Sequence, residues 1–159
     1  MKEPKPLSDG DTAPTFAYQD AAGELLHTKD LSGRPYLVYF YPRDDTPGCT
    51  KEACAFRDLF AEYEKAGIQV VGVSCDDENS HSKFRKKYKI PFPLASDLDH
   101  SIVEAFGVWG LKKFMGKEYE GIHRMSFLIG PDGKIIKSYP KVKPEQHASQ
   151  VLEDALATL

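Results

Sequence analysis

Two short apolar segments constrain the fold of this 159-residue chain more than any other feature of its sequence. The segments "YLVYFYP" (36–42) and "IQVVGVSC" (68–75) are rich in β-branched and aromatic residues and contain few polar ones. Strands that are apolar on both faces are typical of a central parallel sheet covered by helices. Parallel neighbours need a long crossover, and the residues between these two segments are enough to form one. The sequence therefore predicts a βαβ unit.

The crossover has a helical pattern, and further elements are predicted on either side of the unit. Ala53, Phe56, Phe60 and Tyr63 recur at helical spacing, and Gly67 marks the C-terminal end. The other predicted elements are a hairpin over 15–31 turning at Ala22-Gly23, a helix from Ser80 to Tyr88 stopped by Pro91, a short helix over 99–107 capped by Asp99, a hairpin over 124–139, and a final helix over 144–159 with Pro144 in its first turn. This order predicts an α/β, single-domain thioredoxin-like fold, with a central mixed β-sheet flanked by helices and an N-terminal hairpin.

Composition limits the possible functions. Residues 1–159 have the size of one domain, and the Pro-rich, charged residues 1–10 are expected to be flexible. A net charge of −3 gives no reason to expect binding to nucleic acid or to an anionic membrane. The sequence has no apolar run that suits a signal peptide or a membrane span, so a cytoplasmic location is expected. Three cysteines are too few for a disulfide scaffold and fit a reducing compartment.

The segment "YPRDDTPGCTKEAC" (41–54) follows the first apolar strand and carries two of the three cysteines. Thr46 and Pro47 have the pattern of an N-cap and a first helical residue, which places Cys49 in the first turn of the helix. Unpaired backbone N–H groups and the helix dipole stabilise an anion there, so Cys49 is expected to have thiolate character. The neighbouring Asp44 and Asp45 oppose this, and compensating positive charge is expected from Arg43, Lys51 or a distant arginine.

Cys54 lies five residues after Cys49. In an ideal helix the two Cα atoms are about 8.6 Å apart on nearly opposite faces, and a disulfide does not span more than about 7 Å. A bond between them therefore requires the first helical turns to unwind. From spacing alone, both residues can also be packed thiols, and Cys75 is most simply one, with no role assigned. The CxxxxC spacing has no second pair and the histidines are scattered, so no metal site is predicted.

The segment "FYPRDDTPGCTKEAC" resembles the active-site signature of the peroxiredoxins, PxxxTxxC, and the Cys five residues later is similar to the Q-type branch, also called bacterioferritin comigratory protein. The similarity extends over "VVGVSCDDENSHSKFRKKYKIPFPLASD" and "GVWGLKKFMGKEYEGIHRMSFLIGPDG". By this resemblance, Cys49 is the peroxidatic cysteine and Cys54 the resolving one. Thr46 hydrogen-bonds peroxide and thiolate, Pro42 shields the pocket from water, and Arg124 completes the pocket.

The resemblance implies a thiol-dependent peroxidase that defends against oxidants. It reduces hydrogen peroxide and organic hydroperoxides through a Cys49 sulfenic acid and a Cys49–Cys54 disulfide, without a cofactor. Thioredoxin or a similar dithiol protein is the implied reductant, and a monomer is the implied state. Two alternatives remain from the residues: a disulfide oxidoreductase, for which CxxC would be expected, and a redox sensor. Four apolar residues of the 109–119 region either line a substrate entrance or belong to the core. They are Trp109, Phe114, Met115 and Tyr119.

Overall fold

A five-stranded mixed sheet forms the centre of the computed structural model, which describes residues 2–20 and 22–159. A 3₁₀ helix covers Thr28–Leu31. The strands and α-helices follow the chain as β1 (Ala17–Gln19), β2 (Leu25–His27), β3 (Tyr36–Phe40), α1 (Pro47–Asp58), α2 (Phe60–Lys65), β4 (Gln69–Ser74), α3 (Glu78–Tyr88), β5 (Leu94–Ser96), α4 (Ser101–Ala105), β6 (Trp109–Phe114), β7 (Lys117–Ile122), β8 (Met125–Ile129), β9 (Ile135–Tyr139) and α5 (His147–Thr158).

The sheet has the strand order β5-β4-β3-β8-β9. Strand β3 pairs in parallel with β4 and antiparallel with β8, so its residues are buried on both faces. These pairings confirm the predicted βαβ unit and the predicted mixed sheet. The C-terminal hairpin β8–β9 is also confirmed, as is the N-terminal hairpin β1–β2, although Ala21 in its turn region lies outside the described residues.

Each face of the sheet is covered by its own apolar cluster. One face packs against the N-terminal hairpin, α4 and the segment around Val108. The other face packs against α1, α3 and α5, and this second cluster includes Cys49, Phe56 and Tyr63. Cys49 therefore belongs to a layer that is closed by α5 as well as by its own helix. None of the helices in the described residues is long and apolar enough to cross a membrane.

Several helix boundaries differ from those predicted. The crossover helix is interrupted at Leu59, whose φ of −102° and ψ of 7° depart from helical values. The short helix α4 is capped by Asp97 as well as by the expected Asp99: Asp99 accepts from the Ser101 N–H at 3.1 Å, and Asp97 accepts from the N–H groups of Ile102 and Val103 at 3.1 and 2.8 Å. These residues form the first turn of the helix, where backbone donors have no partner within the helix.

The start of the last helix also differs from the prediction. Pro144 lies before α5 rather than in its first turn, because a separate turn is closed by the Gln146 N–H on the Lys143 carbonyl at 3.1 Å. This turn brings Pro144 next to Gly48 at the start of α1. Residues 141–146 therefore lie beside the helix that carries Cys49.

A long antiparallel hairpin, β6–β7, was not predicted from the sequence. Its outer part is exposed, with Phe114 at 65% and Met115 at 86% of full exposure, so the apolar residues at its tip do not belong to the core. The N-terminal segment lies along its base, where the Leu111 N–H donates to the Lys2 carbonyl at 2.7 Å. The flexibility expected for residues 1–10 stays a prediction.

Candidate active site

Cys49 lies in the first turn of α1, as the sequence predicts. Helix α1 begins at Pro47, and the preceding Thr46 has the extended backbone of an N-cap residue, with φ −104° and ψ 153°. The ladder of the helix starts with the Thr50 N–H on the Thr46 carbonyl at 2.8 Å. The Cys49 side chain is 1% exposed, so its sulfur lies at the positive end of a helix dipole in a largely dehydrated environment.

Arg124 contacts this sulfur directly. Its Nη2 donates to Cys49 Sγ at 3.2 Å, across 75 positions of sequence. The contact follows from the sheet, because Met125 at the start of β8 pairs with Phe40 at the end of β3, which places Arg124 beside the loop that leads into α1. A Cβ atom at Gly48 would be 3.1 Å from the same Nη2. The glycine therefore leaves the space that the guanidinium occupies.

Glu52 is the functional-site residue that the sequence analysis missed. The side chain is fully buried, and its Oε1 accepts from Arg124 Nη1 at 2.7 Å. Its Oε2 has no hydrogen-bond partner among the described residues. Burial raises the pKa of Glu52 to about 7, although the charge of Arg124 acts in the opposite direction. Burial also lowers the pKa of Arg124, but the charges of Glu52 and Cys49 more than offset this and leave it raised.

A sequence signal for Glu52 was available. Cys49, Glu52, Ala53 and Phe56 follow the spacing of one helix face, and all four are buried. A charged residue on the buried face of a helix needs a buried partner of opposite charge. The pattern therefore indicates a distant cation facing the same helix, and the structure identifies it as Arg124.

Asp44 and Asp45, which were expected to oppose a thiolate, are both bound by α3. The Asp44 carboxylate accepts from the Ser80 hydroxyl at 2.8 Å and lies 2.7 Å from His81 Nδ1. Asp45 accepts from Lys87 Nζ at 2.7 Å and from the Tyr88 hydroxyl at 2.8 Å. Of the cations proposed from the sequence, the distant arginine contacts Cys49, whereas Lys51 pairs with Glu145 at 3.1 Å.

The remaining candidate residues have less specific contacts. The Thr46 hydroxyl does not cap the helix; it donates to the Arg43 carbonyl at 2.9 Å. Pro42 is half-buried and lies two residues after the end of β3. Cys54 is half-buried in the same unbroken helix as Cys49, and both thiols are free. The roles given to these three residues by resemblance stay predictions.

Cys75 lies away from this group. Burial, followed by the charges of Asp97, Asp76 and Asp99, raises the pKa of the Cys75 thiol to about 12. A thiol of this pKa contains almost no thiolate at neutral pH and is a poor nucleophile. Its environment fits the packed thiol that was expected from the sequence.

One group of side chains has the composition of a metal site. Ligand atoms of Asp44, Asp76 and His81 lie within 4.8 Å of one another. These atoms are already hydrogen-bonded within the protein: Asp76 Oδ2 accepts from the Asp44 N–H and from the Ser74 hydroxyl, both at 2.8 Å. His81 Nε2 lies 3.1 Å from the Ala95 carbonyl. The group is thus a polar network that ties the loop before α1 to α3 and to the sheet.

Comparisons with known proteins agree on one family. The model of the AhpC/TSA family matches residues 10–138. Peroxiredoxin Bcp of Escherichia coli K12 is 49% identical over 147 residues, which cover 92% of this chain and 94% of that protein. Peroxiredoxin Bcp of Bacillus subtilis 168 is 43% identical over 144 residues, covering 91% and 92%. A Xanthomonas campestris bacterioferritin comigratory protein, solved in a study of its alkyl peroxide reduction activity, has a TM-score of 0.84 at 37% identity and covers 89% of this chain and 90% of its own.

Proposed function

Because the chain belongs to the AhpC/TSA family and is a thiol-dependent peroxidase of the Bcp and peroxiredoxin Q type, we propose that Cys49 is the thiol that attacks the peroxide. The observation that carries this proposal is the hydrogen bond from Arg124 to Cys49 Sγ in the first turn of α1. A guanidinium and a helix N-terminus both favour the thiolate, which is the reactive form of cysteine.

Arg124 has two roles in the first step: it stabilises the Cys49 thiolate and then the oxygen that leaves. The Cys49 thiolate attacks the nearer oxygen of the hydroperoxide, the S–O bond forms, and the O–O bond breaks. Arg124 Nη2 lies within hydrogen-bond reach of the sulfur and stabilises the negative charge that develops on the leaving oxygen. That oxygen takes up a proton and leaves as water or an alcohol. Thr46 orients the peroxide O–H with its hydroxyl oxygen, which can accept because its own proton is donated to the backbone carbonyl of Arg43. Pro42 shields the pocket from bulk water.

The second step requires α1 to open. Cys49 is now a sulfenic acid, and the Cys54 thiol displaces its hydroxyl to form a disulfide and water. The two residues lie in one continuous helix, so the turns between them unwind before the sulfur atoms meet. A dithiol protein of the thioredoxin type then reduces the disulfide by exchange and returns both thiols. Hydrogen peroxide and alkyl hydroperoxides are the proposed substrates; the monomeric state and the cytoplasmic location stay predictions.

A coupled assay tests this function. Peroxide-dependent NADPH oxidation is followed with thioredoxin and thioredoxin reductase, using hydrogen peroxide and an alkyl hydroperoxide in turn. Cys49→Ser is expected to retain less than about one per cent of wild-type turnover, since loss of the nucleophile costs several powers of ten. Cys75→Ser is the matched control and is expected to retain full turnover. Multiple turnovers by the wild type exclude a sensor that oxidises only once, and substantial turnover by Cys49→Ser contradicts the assignment.

A further inference from the structure

Lys112 is a half-buried cation next to the proposed peroxide site. Its Nζ donates to the Ile122 carbonyl at 2.9 Å, and Ile122 lies two residues before Arg124 in the chain. Within residues 2–20 and 22–159, no carboxylate forms an ion pair with it. An ammonium group carries more donors than this one hydrogen bond uses. Lys112 therefore has donors and a charge available for a ligand.

The β6–β7 hairpin holds Lys112 in this position. Lys112 lies opposite Tyr119, and Gly121 is the next residue of β7 on the same face of the hairpin. A Cβ atom at Gly121 would be 3.1 Å from Lys112 Cδ, which is tight contact. The missing side chain at Gly121 therefore provides the space along which the lysine stem lies. Lys113 is on the opposite face, is exposed, and lies 3.9 Å from Glu118.

The charges of the pocket act on Lys112. Burial lowers its pKa, the positive charge of Arg124 lowers it further, and the Cys49 thiolate acts in the opposite direction. The geometry agrees, because the Lys112 ammonium is hydrogen-bonded to the carbonyl of Ile122, two residues before Arg124 in the chain. Arg124 is already hydrogen-bonded to Glu52 and Cys49. Lys112, in contrast, is hydrogen-bonded to a backbone carbonyl and pairs with no carboxylate of the described residues. A second anion entering the pocket would meet the unpaired charge of Lys112.

Given the proposed function of Cys49, we propose that Lys112 determines specificity by binding the carboxylate of hydroperoxides that carry one. The carboxylate would accept a charge-assisted hydrogen bond from Nζ while the peroxide group lies at Cys49.

The test compares two forms of one substrate. Second-order rate constants for Cys49 oxidation are measured with a short-chain hydroperoxy carboxylic acid and with its neutral methyl ester. For Lys112→Met, the ratio of the acid rate to the ester rate is expected to fall about tenfold, the effect of losing one charge-assisted hydrogen bond. Any effect on the thiolate itself changes both rates equally and cancels in the ratio.

Two control variants complete the experiment. Lys112→Arg keeps the charge and is expected to retain most of the wild-type ratio, whereas Lys113→Met removes a neighbouring charge from the other face and is expected to leave the ratio unchanged. Equal losses on the acid and the ester in Lys112→Met would overturn the proposal. An unchanged ratio would also overturn the proposal. The same holds if Lys112→Met lowers only the rate at which thioredoxin reduces the oxidised protein. Turnover of the ester reports separately on the proposed peroxidase function.

Discussion

Arg124 divides its terminal nitrogens between the Cys49 sulfur and the Glu52 carboxylate, so its removal affects both groups. Arg124→Ala is expected to slow Cys49 oxidation by about a hundredfold or more, because the charge that stabilises thiolate and leaving oxygen is lost. Stopped-flow measurement of the Cys49 oxidation rate tests this effect.

The same substitution leaves Glu52 buried without its cation, which is destabilising in its own right. A double variant, Arg124→Ala with Glu52→Gln, separates the two consequences. It is expected to recover part of the lost stability and none of the lost rate. Recovery of the rate together with stability would mean that Arg124 acts only as a structural partner of Glu52.

At the residue scale, the sequence predicts a site only as far as local signals extend. Thr46, Pro47 and Cys49 form a local helix-start pattern, and the position of the thiol follows from it. Arg124 is 75 positions away, and nothing local connects it with Cys49; the resemblance alone identified it. Glu52 was missed because a glutamate in a helix is usually exposed, although its place on the apolar face was visible.

At the scale of the element, the proposed Cys49–Cys54 disulfide requires α1 to be closed in the reduced protein and open in the oxidised one. Its buried face is held by aromatic contacts: the Phe56 ring stacks on Tyr39 at 4.8 Å and meets His147 edge-on at 6.0 Å. The Lys51–Glu145 ion pair, 60% and 69% exposed, contributes little in comparison. Opening of the first turns therefore costs chiefly helix hydrogen bonds and apolar contacts.

Hydrogen exchange is expected to locate this opening. In the disulfide form, amides of residues 46–56 should exchange faster than in the reduced form, because the bond cannot close over an intact helix. Strand β4 should keep its protection in both forms. The control is Cys54→Ser, which is expected to reduce one equivalent of peroxide at near wild-type speed, to fail in turnover with thioredoxin, and to become open to sulfinic acid formation. Equal protection of 46–56 in the two wild-type forms would point to a resolving thiol on another molecule.

The sequence predicts some strands and helices better than others. Strands β3 and β4 were predicted because burial on both faces imposes an apolar run. Hairpin β6–β7 was missed because most of its residues are exposed or half-buried, so neither an apolar run nor a regular alternation marks its strands. The break at Leu59 leaves no local signal, because Leu59 is a good helix former.

At the scale of the whole molecule, one layer contains two buried ionisable groups with opposite pH responses. Burial raises the pKa of Glu52 from 4.5 to about 7 and lowers that of His147 from 6.5 to about 4. Between pH 4.5 and 7 the folded protein binds a proton at Glu52 that the unfolded chain has released, so this group lowers stability as pH rises. Between pH 4 and 6.5 the unfolded chain binds a proton at His147 that the folded protein does not, so this group raises stability as pH rises.

The two contributions are expected to oppose each other between pH 4.5 and 6.5, where each group alone changes the free energy of unfolding by at most about 1.4 kcal/mol per pH unit. Urea unfolding of the reduced protein over this range tests whether the two contributions oppose each other.

Glu52→Gln removes the contribution that falls as pH rises, so the stability of this variant should rise more steeply with pH than that of the wild type. His147→Asn removes the rising one, so its stability should rise less steeply with pH than that of the wild type. Glu145→Gln alters an exposed carboxylate in the same region and should run parallel to the wild type. If the curves of Glu52→Gln and His147→Asn also run parallel to it, neither buried group changes its protonation on folding, and the low polarity assigned to the layer around Cys49 is wrong.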